Sequence, residues 1–230
     1  MAVTKITADF IDADAVEETQ IKDAAVATAK VADNAITLAK MAGGTDGNLI
    51  SYDSAGDPVA VVTGDAGQVL QSAGAGQPPA MAWTGLVQAV HTADEAVDTG
   101  TTVMAMDNSI PQITEGDEYM TVTITPKSTS HRLIIEAVIN GSSSTIAFVC
   151  GLFQDSTAGA LAASLYDDST ANRTSQVVIR YEMAAGTTSS TTFRIRVGPA
   201  SSGTFTLNGT SAARLLGGVF NSSLRVTEIA

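Results

Sequence analysis

From residue 6 to residue 41 an apolar side chain returns at every fifth position: Ile6, Ile11, Val16, Ile21, Val26, Val31, Ile36 and Met41. A helix turns about 100° per residue, so a step of five advances roughly 140° and the series winds around the axis instead of forming a stripe. An extended strand alternates its faces, so the same step reverses the side. Neither element buries the series on one surface, and the positions between are Asp, Glu, Lys, Thr and small Ala. Neighbouring chains are needed to close such a core. In extended chain the recurring unit is ten residues, as in IKDAAVATAK against VADNAITLAK. Two backbone forms fit: short helical turns capped by Asp23 and Asp33, or the bent strands of a spiral fibre. The competing reading is one Ala-rich helix packed on the rest of the chain, or a disordered acidic leader.

Gly and Pro break the pattern at MAGGTDGN (41–48) and again near QPPAMAWTG (77–85), which divides the chain into segments 1–42, 43–85 and 86–230. In the second segment short β-prone pieces (LISYD, VAVV, VLQ, AMAW) alternate with turn signals, which predicts consecutive hairpins. Pieces this short expose too much apolar surface to stand alone, so they too are expected to pack across chains. Trp83 is expected to plug the joint to the next segment. The third segment reads as strands separated by Ser, Thr, Gly and Asn turns. In TTFRIRV, residues 191–197, Phe193, Ile195 and Val197 point one way and Arg194 and Arg196 the other. YMTVTITP, HRLIIEAVI, SQVVIRYEM, GTFTLNG and SLRVTEIA give comparable runs. TIAFVCGLF is apolar on both faces, and a face shared around an oligomer axis would cover the second one. The fold class expected is mainly β: a repeat stalk of undecided backbone form, a hairpin connector, and a C-terminal antiparallel β-sandwich, jelly-roll-like, in a trimer.

Charge and composition narrow the partners. Against 12 Lys and Arg stand 24 Asp and Glu, a net charge of -12, which opposes any grip on nucleic acid. No stretch approaches the roughly 20 apolar residues of a membrane helix, and the first ten residues lack the pattern of a secretory signal, so no membrane insertion is expected. Cys150 is the one cysteine and sits in an apolar run, which predicts a core position and excludes an internal disulfide.

Candidate chemistry is sparse. His91 and His131 have no His, Cys or carboxylate at ligand spacing, so no metal and no cofactor are expected. His131 opens a strand run and reads as a strand-end residue. The Gly-rich stretches TGDAGQ and SAGAGQ lack phosphate-loop spacing and lead into strands, so they are turns. No nucleophile elbow is present, and the chain is not expected to be an enzyme. Binding is expected on a loop held by strands, and the polar stretch YDDSTANRT offers the best set. There Tyr166 presents a flat ring for a sugar, while Asp167, Asp168, Asn172 and Arg173 present directional hydrogen bonds.

The repeats IKDAAVATAKVADNAITLAK, the stretch GGTDGNLISYDSAGDPVAVVTGDAGQVLQSAGAGQPPAMAW and a β domain ending SLRVTEIA together resemble bacteriophage tail fibre and related virion fibre proteins. The similarity spans nearly the whole chain. Gly44, Thr45, Asp46, Gly47, Asn48 and Leu49 match the opening of the connector, Gly67, Gln68, Val69 and Leu70 its second part, and the terminal VTEIA a closing strand. The resemblance implies a trimeric stalk, a Gly-rich hairpin connector and a β-sandwich head in a three-fold bundle. Such fibres often carry a longer anchoring region, whereas here the repeats begin almost at Met1. The expected protein is a structural virion fibre on the phage particle surface, assembled in the host cytoplasm. Its partners would be two further copies, other tail or capsid proteins, and a host surface glycan or protein. The alternatives are a head or neck decoration fibre without receptor binding and, further off, a tail-associated glycan hydrolase.

Overall fold

A computed structural model of the chain describes residues 47–230 and, before them, Val26, Lys30 and Val31. Of the five-residue series, Val26 is exposed and Val31 half-buried, while Ile6, Ile11, Val16, Ile21, Ile36 and Met41 lie outside the described residues. The connector forms the two expected hairpins. Strands β1 (Leu49–Tyr52) and β2 (Pro58–Val61) pair antiparallel. Their turn is closed by Asp53, whose Oδ1 accepts from the backbone N–H groups of Ala55 (2.8 Å) and Asp57 (2.9 Å), an Asx turn. Strands β3 (Val69–Gln71) and β4 (Ala80–Ala82) make the second hairpin. The Trp83 ring lies over Gly67, where a Cβ would meet it at 2.9 Å, so it packs on the turn that leads into β3. Leu49, Ile50, Tyr52, Val62, Val69 and Leu70 all remain exposed.

Beyond the connector the strands run β5 (Leu86–Asp94), β6 (Asp98–Gly100), β7 (Asp117–Ile124), β8 (Arg132–Ser143), β9 (Ala147–Gln154), β10 (Ala162–Asp167), β11 (Thr174–Ala184), β12 (Thr191–Pro199), β13 (Phe205–Leu207), β14 (Gly209–Thr210), β15 (Ala213–Arg214) and β16 (Ser222–Ile229). The described chain is mainly β, every strand pairing is antiparallel, and no α-helix occurs among the described residues. One sheet has the order β10-β9-β12-β7. The other is built around the long β8. Its one edge pairs with β11 from Ser142 to Arg132, and its other edge is shared by β13 at 141–143 and β16 at 132–138. Outside these, β6 pairs with β13 and β5 with β16.

Alternation decides which side chains reach the core that strands of both sheets share. Phe193, Ile195 and Val197 of β12, Leu133, Ile135, Ala137 and Ile139 of β8, and Phe148, Cys150 and Leu152 of β9 join one hydrophobic cluster with residues of β7, β11, β13 and β16. Each fully buried large side chain contributes roughly 1.5–3 kcal/mol. Arg194 and Arg196 lie on the opposite face, as their alternation predicts, but neither stands free in water. Both reach Glu118 at 3.5 Å, and Arg196 donates from Nε to the Glu115 carbonyl (3.0 Å) and from its guanidinium to the Gly116 carbonyl (2.6 Å). Arg196 thereby holds the chain that enters β7.

The second face of β9 corrects the sequence reading. Val149 and Phe153 are covered by this chain's own Met104, with Ile113 and Ala160 beside it, and not by a surface that waits for another copy. The cover is fixed by backbone bonds: Met104 N–H to the Pro199 carbonyl (3.1 Å), Gly116 N–H to Val103 (3.2 Å) and Ala160 N–H to Pro111 (2.9 Å). A strand that is apolar on both faces therefore needs only an irregular segment laid across it.

Candidate binding site

The loop that sequence reading favoured is held together by its own side chains. Tyr166 and Asp167 are the last residues of β10. The Tyr166 ring packs on Phe148 with centroids 5.6 Å apart, so it is turned toward the core. Its hydroxyl donates to Asp168 Oδ2 at 2.7 Å, and Arg173 Nε lies 3.3 Å from the same oxygen. That hydroxyl bond, with the Ser169 N–H on the other oxygen, holds the Asp168 carboxyl below its ordinary titration range, and the carboxylate in turn pushes the Tyr166 phenol up. Tyr166, Asp168 and Arg173 thus bind one another. The remaining two candidates part company. Asp167 lines a cavity of about 240 Å³ with Met106, Thr145, Ile146 and Ser201, whereas Asn172 lines another of about 270 Å³.

The Asn172 cavity is assembled from four separate segments. Ser144 comes from the turn after β8, Asn172 from the loop before β11, Thr204 and Thr206 from the entry and middle of β13, and Ser211 with Ala212 from the tip of the β14–β15 hairpin. Backbone bonds fix the walls relative to one another. Asn172 N–H donates to the Ser143 carbonyl (2.7 Å), Ser144 N–H to the Thr204 carbonyl (2.8 Å), and the Thr210 hydroxyl to the Asn172 carbonyl (2.8 Å). No lining residue carries a formal charge.

Three of the lining residues hold left-handed backbone: Asn172 (φ 60°), Ser211 (φ 48°) and Ala212 (φ 61°). Asn tolerates this conformation, but Ser and Ala form the whole loop of a two-residue hairpin with positive φ at both places, where Asn-Gly is the usual solution. Left-handed backbone at such residues costs roughly 1–2 kcal/mol each. Strain of this kind persists where surrounding structure over-determines it, and it clusters at binding sites. Ala212→Gly is expected to keep or raise the melting temperature by a few degrees, because relief of that strain outweighs about 0.4–1 kcal/mol of added unfolded-chain entropy. A clear drop in a thermal melt would show that Ala212 is not strained.

Other titratable groups serve the frame. His131, expected at a strand end, is in place just before β8 but is buried, and its Nδ1 meets Glu228 Oε1 at 2.6 Å. Glu228 also accepts from Gln88 Nε2 (2.5 Å) and from the Lys127 N–H (2.7 Å). Burial alone pushes this carboxyl up, but the bonds from Gln88, His131 and Lys127 outweigh it, so Glu228 titrates below its ordinary value. Cys150 is fully buried, and burial pushes its thiol up to about 12, which leaves it without nucleophilic character near neutrality. Among the described residues no three His, Cys, Asp or Glu side chains gather as metal ligands would.

No family model matches the sequence, and no curated protein matches it. Among solved structures, an Eiger TNF from S. frugiperda is similar at 10% identity and a TM-score of 0.39, over 62% of this chain and 92% of that one. The insecticidal delta-endotoxin Cry8Ea1 from Bacillus thuringiensis is similar at 10% identity and a TM-score of 0.32, over 50% of this chain and 18% of that one. Dimeric latent PorU from Porphyromonas gingivalis is similar at 8% identity and a TM-score of 0.29, over 67% of this chain and 15% of that one. The chain spans less than a fifth of the length of the latter two.

Proposed function

We propose that this chain is the subunit of a homotrimeric virion fibre whose β head adsorbs to a host-surface glycan or protein without breaking bonds in it. The observation that carries the reading is the exposed apolar set on the two hairpins: Leu49, Ile50, Tyr52, Val62, Val69 and Leu70. Two-stranded hairpins are marginal in water without a further layer, and these follow a five-residue apolar series that has the same need for neighbours. Three copies side by side meet both needs at once, with stalk and connector sharing one axis. In this reading the two sheets of the head are the layers of a jelly-roll-like sandwich, and tail or capsid proteins hold the fibre on the particle.

The test is the mass of the intact chain in solution. Multi-angle light scattering at micromolar concentration is expected to return three times the chain mass of 23.5 kDa. Replacing Val16, Val26 and Ile36 together by Asp would gather like charges about the axis and is expected to lower that mass toward one chain. A monomeric wild-type chain would overturn the proposal.

A further inference from the structure

We propose that the cavity walled by Ser144, Asn172, Thr204, Thr206 and Ser211 is a binding site for a neutral, hydroxyl-rich ligand, a single sugar residue of a glycan. That the sugar comes from a host surface rests on the fibre reading above. The chemistry of the walls selects the class. The Asn172 amide and the Thr204 and Ser211 hydroxyls make no side-chain hydrogen bond within the described chain, while Ser144 Oγ accepts from the Thr204 N–H (2.8 Å) and Thr206 Oγ1 from the Ala212 N–H (3.3 Å), each keeping its own O–H to give. Four hydroxyl-bearing residues and one amide therefore line a cavity of about 270 Å³ with unspent hydrogen-bonding capacity.

A second observation lies beneath the floor. Thr206, 3% exposed, pairs directly with Ser142 on β8, so the two side chains share a face of the sheet. Ser142 is 1% exposed and its hydroxyl has no partner. Buried hydroxyls are ordinarily paired, and this unspent one, closed off from the cavity itself, shows that the layer under Thr206 is polar rather than packed apolar. An anion is disfavoured by the absence of any cation in the lining, since the neighbouring Arg173 is already paired with Asp168. An apolar ligand would leave five polar groups dry. The walls are also fixed in advance by backbone bonds and left-handed turns, which lowers the cost of ordering the site on binding.

The conformation itself supplies clean variants. Asn172 and Ser211 sit at positive φ, so Asn172→Gly and Ser211→Gly remove the polar side chains while keeping a backbone that glycine adopts freely. Thr204→Val replaces a hydroxyl by a methyl of similar shape. The probes are the methyl glycosides of glucose, galactose, mannose and N-acetylglucosamine, with a methyl sialoside and inorganic phosphate as charged comparisons, each titrated into the intact chain and followed by amide chemical shifts. At least one neutral glycoside is expected to bind in the millimolar range typical of so small a ligand, with shifts at residues 144, 172, 204 and 211. The Asn172→Gly/Ser211→Gly double variant and Thr204→Val are each expected to weaken it tenfold or more without lowering the melting temperature. No response to any neutral glycoside, an undiminished response in folded variants, or a response to the charged probes alone would overturn the assignment. Light scattering on the same samples separates the two proposals. A trimer that binds no glycoside overturns the cavity assignment alone, and a monomer that binds one supports the cavity while overturning the fibre.

Discussion

Ile195→Asp is expected to abolish the folded head at room temperature. Ile195 is 0% exposed in the middle of β12, between Met120 of β7 and Leu152 of β9, so a carboxylate there has neither water nor a partner. Loss of the side chain costs about 2–5 kcal/mol and burial of an unpaired polar group adds several more, a total comparable with the roughly 5–15 kcal/mol that keeps a domain folded. Thr121→Ala, on the exposed face of the neighbouring strand, is expected to stay within about 0.5 kcal/mol of the parent. Urea unfolding followed by circular dichroism reads both. Similar losses from the two would mean that the faces of this sheet are assigned the wrong way round.

Glu228→Gln is expected to cost about 2 kcal/mol at pH 7, because three hydrogen bonds to a charged acceptor at 0% exposure are weakened at once. Its pH dependence carries more information than its size. The folded-state titration of Glu228 lies below the ordinary value of 4.5, so the stabilisation it supplies is fully present above the unfolded value and is lost as the pH falls through the folded one. The difference between wild type and Glu228→Gln is therefore expected to be full at pH 7 and to close toward pH 3. A difference that stays constant down to pH 3 would show that the carboxylate charge is not what holds β16 to the start of β8.

Much of this architecture is legible in the alternation of single strands. Phe193, Ile195 and Val197 declare their face without help, and the runs that became β7, β11 and β16 do much the same. What alternation cannot carry is a partner far along the chain. His131 looked like an ordinary strand end because Glu228 stands 97 residues away, and only the pairing of β16 with β8 brings them together. Met104 is in the same position, one of a short apolar run (Val103–Met106) outside any strand, and its use appears once β9 has a second face to cover. The candidate site was read one loop at a time, which found Asn172 but grouped it with a tyrosine whose ring belongs to the core. Ser144, Thr204, Thr206 and Ser211 were missed for a plain reason. Single hydroxyls in Ser- and Thr-rich turns give no signal, and Ser-Ala at a hairpin tip does not announce the turn it makes.

The place of β16 also governs how this domain comes into being. It is the last strand in the chain, yet it lies between β5, the first strand of the head, and β8, with Ser222 set against Asp94 across 128 intervening steps of sequence. Until residues 222–229 have left the ribosome, β5 has no neighbour to pair with along its length and β8 shows an open edge beside finished hydrophobic surface. The nascent head therefore waits, unable to close, through nearly the whole of its own synthesis. Pairings of such long range are slow to find, and an unpaired edge held open for that time invites strands of other nascent chains. The order of strands thus makes the emergence of residues 222–229, rather than any earlier step, the event that lets β5 and β8 join one sheet.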